Sequence, residues 1–287
     1  MTRYVIITPV RDEEKFIEST IESVRRQTVP PVEWVIVDDG STDRTGELLD
    51  NAAATLPWLR IVHRVDRGFR KPGGGVMEAF YAGYNGVQHQ DWEFLVKLDG
   101  DLTFAPDYFE KCFDYFRRDP KLGIGGGEIH HEVVGELKLE QNPRFHVRGA
   151  TKIYKRACWE TIGGLWPDPG WDTIDEVKAN MLGWHTYSFG DLPLLHHRFT
   201  GSEGGILRDR IKHGKVCYIS GYHPLFVVAS CLRRLAQKPY VLGAGAILYG
   251  FLKAHVIRTR RLEDRSYVAY IRSQQLRRLF GMQSIWR

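Results

Sequence analysis

The sequence predicts an α/β fold in which a mixed, mostly parallel, Rossmann-like sheet is flanked by helices. Two observations carry this prediction. Short apolar runs rich in Val, Ile and Leu alternate with stretches of helical spacing along the N-terminal third of the chain, as they do in βαβ units. The 287 residues, of which 43% are hydrophobic and 26% charged, have an ordinary globular balance and suffice for one large domain or two smaller ones.

The predicted elements follow one another in the order strand, helix, strand. Tyr4–Pro9 is a β-branched run typical of a fully buried strand, and apolar residues recur every three or four positions in the segment after it. Strands are predicted at Tyr4–Pro9, Trp34–Val37, Leu59–His63 and Trp92–Leu98, and helices at Asp12–Gln27, Thr42–Thr55 and Gly73–Gly86. Ser41 or Thr42 is expected to cap the second helix. Sheets of this kind bind ligands at the carboxyl ends of their strands.

Charge is divided unevenly along the chain. Residues 216–287 carry 12 basic and 2 acidic side chains, whereas residues 1–215 carry 28 basic and 33 acidic ones. We therefore expect a domain at 1–215 followed by a basic helical extension at 216–287. The extension contains uncharged stretches at Val216–Leu232 and Tyr240–Leu252, and both are shorter than the ~20 apolar residues that a membrane-spanning helix needs.

Two interpretations of the extension stay open. Its uncharged stretches are either buried helices of a globular domain or interfacial helices on an anionic membrane surface, with arginines at the lipid headgroups. We expect no nucleic-acid partner, because no recognised binding motif accompanies the charge. The four cysteines form no C-x-x-C pair, which argues against a disulfide scaffold and a thiolate zinc site. The cysteine pattern favours a reducing, cytoplasmic compartment. The basic extension favours a peripheral position on the inner face of the cell membrane.

An acidic pair ends the fourth predicted strand. Asp99 and Asp101 flank Gly100 directly after an apolar run, and residues two apart in an extended chain point the same way. Converging carboxylates repel each other unless a cation neutralises them, and oxygen ligands suit Mg²⁺ or Mn²⁺ bound together with substrate phosphates. The pattern therefore indicates either a metal site for a nucleoside diphosphate or an ordinary surface turn rich in Asp and Gly.

A second acidic pair, Asp38 and Asp39, ends the second predicted strand within the segment VDDGSTD. Carboxylates at such a strand end accept hydrogen bonds from a ribose hydroxyl or a base N–H in dinucleotide-binding folds. The alternative is an Asx-turn that leads into the next helix.

Together with TPVRDEE at residues 8–14, these segments make the chain resemble family 2 glycosyltransferases, which have the GT-A fold. The order and the spacing of the segments match over roughly residues 1–200. The resemblance implies metal-dependent, inverting transfer of a hexose from a nucleotide-sugar to a hydroxyl acceptor, such as a lipid-linked or cell-surface glycan precursor.

The resemblance also implies roles for individual residues. The expected nucleotide contacts are Pro9, Arg11, Glu13, Asp38, Asp39, Arg70, Lys71 and Asp99, and the expected ligands of Mn²⁺ or Mg²⁺ are Asp101, Asp99 and His197. Among them, Asp39 is expected to contact the nucleobase, and Asp101 is expected to be the direct metal ligand. A histidine pair at a strand end and a glycine-rich loop, such as the one around Arg70, also have plain structural interpretations.

Family members place a general base at the start of a helix, in an acidic motif followed eleven residues later by glycine. Asp172 stands eleven residues before Gly183, although Trp171 replaces the glutamate that the family has in front of the base. Asp175 lies one helical turn further on and is the alternative base. A helix N-terminus tends to keep a carboxylate ionised, which suits a base and also a plain N-cap.

Two other functions stay open. A sugar-1-phosphate nucleotidyltransferase also combines a Rossmann-like sheet with a metal-binding aspartate, but it normally has a glycine-rich basic loop after its first strand, where this chain has PVRDEE. A non-catalytic, membrane-bound module that retains the same fold is the second alternative.

Overall fold

The computed structural model describes residues 2–69, 74–133, 135–140, 142–198, 205–236 and 239–286. The strands are β1 (Tyr4–Val10), β2 (Glu33–Asp38), β3 (Leu59–His63), β4 (Phe94–Leu98), β5 (Leu102–Phe104), β6 (Leu122–Val133), β7 (Glu136–Leu139), β8 (Thr151–Lys155) and β9 (His185–His196). The helices are α1 (Ile17–Arg25), α2 (Thr45–Ala53), α3 (Gly74–Asn85), α4 (Tyr108–Arg118), α5 (Arg156–Ile162), α6 (Trp171–Met181), α7 (Ile206–Ile219), α8 (Pro224–Arg234), α9 (Val241–Val256) and α10 (Arg265–Leu279).

The strands form one mixed sheet in the order β3-β2-β1-β4-β8-β6-β9-β5, with β7 paired to β6. The first four strands are parallel to one another. Beyond β4 the sheet is mixed: β8 runs antiparallel to β4 and β6, β9 runs parallel to β6, and β5 runs antiparallel to β9. The predicted mixed α/β fold is confirmed, and its continuous parallel part consists of β1–β4 within residues 4–98.

Alternate residues of the central strands fill two core layers. On β2, Trp34 and Ile36 face α1, α2 and α4, whereas Val35 and Val37 face α3 and α5. All four side chains are fully buried. A strand covered by helices on both faces needs apolar residues at successive positions, which explains why its sequence is a continuous hydrophobic run.

Helix α2 begins three residues later than predicted and is not capped by Ser41 or Thr42. These two residues hold the end of β1 instead: the Asp12 N–H donates to Ser41 Oγ over 3.0 Å, and the Thr42 N–H donates to Asp12 Oδ1 over 2.8 Å. The carboxylate of Asp43 accepts the Thr45 N–H over 3.0 Å in their place. The loops after β1 and β2 are therefore tied to each other.

The C-terminal helices have a core of their own, to which α7, α8 and α9 contribute. Helices α7 and α9 approach so closely that a Cβ added to Gly214 would lie 1.9 Å from the carbonyl oxygen of Ile247, and one added to Gly250 would lie 2.1 Å from that of Ile211. Glycine is needed at both positions because any side chain would meet backbone.

Helix α10 joins this C-terminal unit to the sheet domain. Its buried Tyr267 and Ile271 pack with Ile174 and Val177 of α6. The division of the chain at residue 215 stays a prediction, and α7 runs through that position. Among the described helices, none combines the length and the apolar character needed to cross a bilayer.

The crossing of α7 and α9 predicts which glycines tolerate a methyl group. We expect Gly214→Ala and Gly250→Ala each to lower the free energy of unfolding by about 1–3 kcal/mol, as overpacking does. Gly245→Ala on α9 is the matched control, because open space surrounds that position; alanine there should be neutral or stabilising by up to ~1 kcal/mol. Urea unfolding of the three variants checks this, and equal effects at all three positions would contradict the close crossing.

Candidate active site

Neighbouring strands bring the two acidic segments to one edge of the sheet. Val10 of β1 pairs with Asp38 of β2, and β4 lies parallel on the other side of β1. The Asp39 N–H donates to the carbonyl oxygen of Val10 over 2.9 Å. On the β4 side, a Cβ added to Gly100 would lie 2.6 Å from Val10 Cγ1, so glycine permits close approach there. Asp39 and Asp101 therefore follow strands that end at the same edge.

A candidate metal site lies at the end of β4. One ligand atom each from Asp99, Asp101 and His196 lies within 4.8 Å of the others, and His196 Nε2 is 3.2 Å from Asp101 Oδ2. Strand pairing places Leu102 of β5 opposite His196 of β9, which brings the imidazole to the acidic pair. Carboxylate oxygens with one imidazole nitrogen suit Mn²⁺ or Mg²⁺, so these three side chains fit a divalent cation. We call Asp99, Asp101 and His196 the metal group.

The histidine in this group is His196, and the predicted ligand His197 lies outside it. Successive side chains of an extended segment point to opposite sides, and β9 ends at His196. The His197 ring stacks on Phe16 with the centroids 5.5 Å apart, and its Nε2 lies 3.1 Å from Thr103 Oγ1. Burial lowers the pKa of His197. The structure therefore favours His196 as the histidine ligand, and a ligand role of His197 stays a prediction.

Contacts behind the metal group hold it in place. Burial lowers the pKa of His196, but the hydrogen bond to Asp101 and the negative charges of Asp101 and Asp99 outweigh burial and raise that pKa above its ordinary value. His131 Nδ1 lies 3.2 Å from the His196 carbonyl oxygen. Lys97, which is 2% exposed, forms an ion pair with Asp99. A lysine inside an apolar strand was the sequence signal for this partner, and sequence analysis missed it.

Asp38 has a structural role. Its Oδ1 accepts the Ser41 N–H over 2.8 Å, and its Oδ2 lies 3.0 Å from His63 Nδ1. The bond to Ser41 reaches three residues along the chain, whereas an Asx-turn reaches two, so Asp38 stabilises the turn before α2 without forming an Asx-turn, and its contact with a nucleotide stays a prediction. Asp38 fixes the loop on which Asp39 lies.

Arginines from the segment after β3 surround Asp39. Its carboxylate is 2.6 Å from the guanidinium of Arg64 and forms a second ion pair with Arg67. Arg11 donates to the Asp39 carbonyl oxygen over 2.9 Å, and Pro9 is the penultimate residue of β1 at the same edge. Arg64 and Arg67 were missed from the sequence because nothing in their spacing indicates that they meet Asp39.

Arg198 links the first strand to the metal group. Its guanidinium lies 2.7 Å from Glu13 Oε2 and 4.0 Å from Asp101 Oδ2. Glu13 is thus joined to the metal group by an arginine that sequence analysis did not single out, and its contact with a nucleotide stays a prediction. The predicted contacts Arg70 and Lys71 lie outside the described residues.

Asp172 lies in the first turn of α6 and is half-buried. Gly170 precedes the helix with a φ of +100°, a conformation that suits glycine. A Cβ added to Gly149 would lie 3.4 Å from Asp172 Cβ, and the carbonyl oxygen of the next residue, Ala150, accepts the Asp99 N–H over 2.8 Å. The helix start therefore lies beside the metal group.

Asp175, the alternative base, is engaged elsewhere. It is 2% exposed, both its oxygens lie 2.9 Å from Lys152 Nζ, and the Tyr154 hydroxyl donates to it over 2.6 Å. Burial raises the pKa of Asp175 to about 6 despite the charge of Lys152. Lys152 also contacts Glu176 at 2.8 Å and donates to the Asp172 carbonyl oxygen. This buried network fixes the start of α6, and Asp175 is not accessible to an acceptor.

Comparison with known proteins gives a consistent match. The model of the family described as Glycosyl transferase family 2 matches residues 5–168. EpsH of Bacillus subtilis, named a putative glycosyltransferase, is 27% identical over 263 residues, which are 90% of this chain and 70% of that protein. The polyprenol monophosphomannose synthase of Mycolicibacterium smegmatis is 28% identical over 152 residues, 51% of this chain and 55% of the relative.

Among solved structures, the mannosyltransferase PcManGT from Pyrobaculum calidifontis, in complex with GDP-Man and Mn²⁺, matches with a TM-score of 0.57. The match covers 98% of this chain and 88% of that one at 18% identity. At this identity the likeness shows the fold.

The metal group predicts different effects for the two adjacent histidines. We expect His196→Ala to weaken Mn²⁺ binding at least tenfold, because it removes a nitrogen ligand, whereas His197→Ala should leave the affinity within about twofold, since its ring faces Thr103. Electron paramagnetic resonance titration of Mn²⁺ measures both. A larger loss of Mn²⁺ affinity in the His197 variant than in the His196 variant would contradict this and indicate that His197 is the ligand.

Proposed function

The chain belongs to glycosyl transferase family 2 and is a glycosyltransferase, and on that premise we propose that it transfers a hexose from a nucleotide-sugar to an acceptor hydroxyl, with inversion and with Mn²⁺ or Mg²⁺. One observation carries the proposal. A group that fits a divalent cation, formed by Asp99, Asp101 and His196, lies at the sheet edge beside the half-buried carboxylate of Asp172. The cation would thus serve the leaving diphosphate, and Asp172 would accept the proton of the acceptor hydroxyl.

The donor is proposed to bind across the ends of β1, β2 and β4. Asp101, Asp99 and His196 would hold the cation, which neutralises the charge of the leaving diphosphate. Arg198, 4.0 Å from Asp101, adds a positive charge at the same place. Asp39 remains the proposed contact to the nucleobase, and Arg64 and Arg67, which are paired with its carboxylate, lie at the same place. PcManGT, which shares the fold, was solved in complex with GDP-Man and Mn²⁺, and this supports a nucleotide-sugar as donor and a divalent cation beside it.

Asp172 is the proposed general base. Its carboxylate takes the proton of the acceptor hydroxyl while the acceptor oxygen forms its bond to the anomeric carbon. The bond from that carbon to the phosphate oxygen breaks, and its electron pair leaves with the nucleoside diphosphate. The positive end of the α6 dipole favours the ionised carboxylate before the reaction. Lys152 holds the helix start through the Asp172 carbonyl oxygen and leaves the side chain free to act.

The acceptor is proposed to be lipid-linked and to be met at an anionic membrane surface. We call outer stripe the exposed apolar residues on one face each of α8 and α9, namely Leu225, Val228, Leu232 and Leu235, and Leu242, Tyr249, Leu252 and Val256. Spacings of three, four or seven residues, which are one or two helical turns, place each set on a single helix face. Arginines lie nearby in sequence, among them Arg233, Arg258, Arg260 and Arg261.

Apolar stripes flanked by cationic side chains are typical of interfacial helices that lie on anionic lipid. The named activity of the M. smegmatis relative, a polyprenol monophosphomannose synthase, also involves a lipid. We therefore place the protein on the inner face of the cell membrane, held by contact and without a spanning helix among the described ones.

Asp172→Asn should lower the turnover number about 10²- to 10⁴-fold, the range of general base catalysis, and leave donor affinity nearly unchanged. Asp168→Asn is the control: this exposed carboxylate lies 3.8 Å from Arg260, and its loss should leave turnover within about twofold. Release of nucleoside diphosphate measures turnover, and calorimetry measures donor binding. Full turnover in the Asp172 variant would remove the base assignment.

The outer stripe predicts vesicle binding. Leu232→Glu combined with Leu252→Glu should lower co-sedimentation with phosphatidylglycerol vesicles at least tenfold, because charge replaces buried apolar area at the lipid interface. Leu137→Glu on β7 is the matched control, since this leucine is 62% exposed on the sheet domain. Equal binding by the double variant and the control would refute the membrane role of the stripe.

A further inference from the structure

A cavity of about 300 Å³ lies between the sheet domain and the C-terminal helices. Thr173, the residue after Asp172, lines it from α6, and Phe226, Ser230 and Arg234 line it from α8. Its volume is at the lower end of the range of small-molecule sites, ~300–1,000 Å³. None of the acidic motifs contributes to it. The cavity therefore adds a second compartment, which begins next to the proposed base.

The cavity is cationic. Arg233 and Arg234 both line it, and neither takes part in a salt bridge with any residue that the structure describes. Arg234 donates to the Ser230 carbonyl oxygen over 3.3 Å. An anion in the cavity would relieve this excess of positive charge.

The cavity begins one residue from the proposed base. Thr173, which follows Asp172 in the first turn of α6, lines the cavity on one side, and Arg234 of α8 lines it on the other. A molecule that fills the cavity therefore lies between the helix start that carries Asp172 and the arginines of α8.

Aromatic rings form the apolar wall of the cavity. Trp286 packs against Phe145 and Phe226, with ring centroids 5.0 and 5.7 Å apart. Helix α8 thus has two functional faces. Phe226, Ser230 and Arg234 line the cavity, and the opposite face carries the outer stripe, including Leu232, which is 61% exposed.

We propose that this cavity is the acceptor site and that it binds a lipid whose headgroup carries a phosphate, with the phosphate at Arg233 and Arg234 and the reacting hydroxyl at Asp172. Guanidinium groups bind phosphate through paired, charge-assisted hydrogen bonds. The acceptor is lipid-linked because α8, which carries both arginines, also carries part of the outer stripe. The inference rests on the proposed transfer reaction and deepens it, since it names the acceptor class.

Binding of octyl phosphate below its micelle concentration tests the proposal, by calorimetry on the full chain with EDTA present. EDTA removes divalent metal, so the donor site does not contribute. Octyl glucoside has the same chain with a neutral head, and glucose 1-phosphate has the phosphate without the chain. We expect octyl phosphate to bind at least tenfold more tightly than either one.

Two variants locate the binding. Arg233→Gln with Arg234→Gln should weaken octyl phosphate binding at least tenfold, because the charge-assisted hydrogen bonds to the phosphate are lost. Ser230→Trp fills the cavity, keeps both arginines and the outer stripe, and should abolish binding. Arg278→Gln on α10, at an exposed arginine outside the cavity, is the control and should bind like the unaltered protein.

Each other outcome overturns a stated part of the proposal. Equal binding of octyl glucoside refutes phosphate recognition, and equal binding of glucose 1-phosphate refutes a lipid-linked acceptor. Unchanged binding in both the arginine and the Ser230 variants places the site elsewhere. Because the assay uses neither metal nor donor, its failure is separate from a failure of the transfer reaction, which turnover of the Asp172 variant reports.

Discussion

Repulsion between carboxylates at one sheet edge is the constraint on which the rest of this structure depends. Parallel strands that end together bring their acidic residues within a few ångströms, and each carboxylate there needs a positive partner. Asp39 has Arg64 and Arg67, Glu13 has Arg198, and Asp99 has Lys97. Four cationic side chains thus stabilise this edge, and one of them, Lys97, is buried.

Two carboxylates at the edge are arranged differently, and these are the ones to which we assign chemistry. Asp101 pairs with the imidazole of His196 and has the guanidinium of Arg198 at 4.0 Å, which leaves room for a cation. Asp172 lies at a helix start that Lys152 fixes through backbone. Asp175, one turn further, has Lys152 itself as its partner. Two aspartates three residues apart on α6 thus differ in role: Asp172 is the proposed general base, and Asp175 stabilises the fold through its ion pair with Lys152.

The sequence predicted strands β1–β4, the acidic strand ends and the family, because each depends on local pattern, whereas strands β5–β9 were not predicted. It did not predict which neighbour of a pair faces the site. The candidate metal group contains His196 beside the predicted ligand His197, and Asp175 is buried beside Asp172, because strand direction and helix phase decide which side chain faces the site only after packing. Lys97 lies two residues from Asp99 and could have been found from its place in an apolar strand. Arg198 and Lys152 come from distant positions, and no local signal links them to Glu13 and Asp175. Family membership also sets aside the nucleotidyltransferase alternative.

The central claim is that Asp99, Asp101 and His196 hold one cation together with a nucleoside diphosphate. Pulsed electron paramagnetic resonance of bound Mn²⁺, with uridine or guanosine diphosphate present, tests it most directly. The account predicts coupling of the manganese to one imidazole nitrogen and to phosphorus, with the nitrogen coupling lost on replacement of His196. Manganese that shows neither coupling in the unaltered protein would contradict the account.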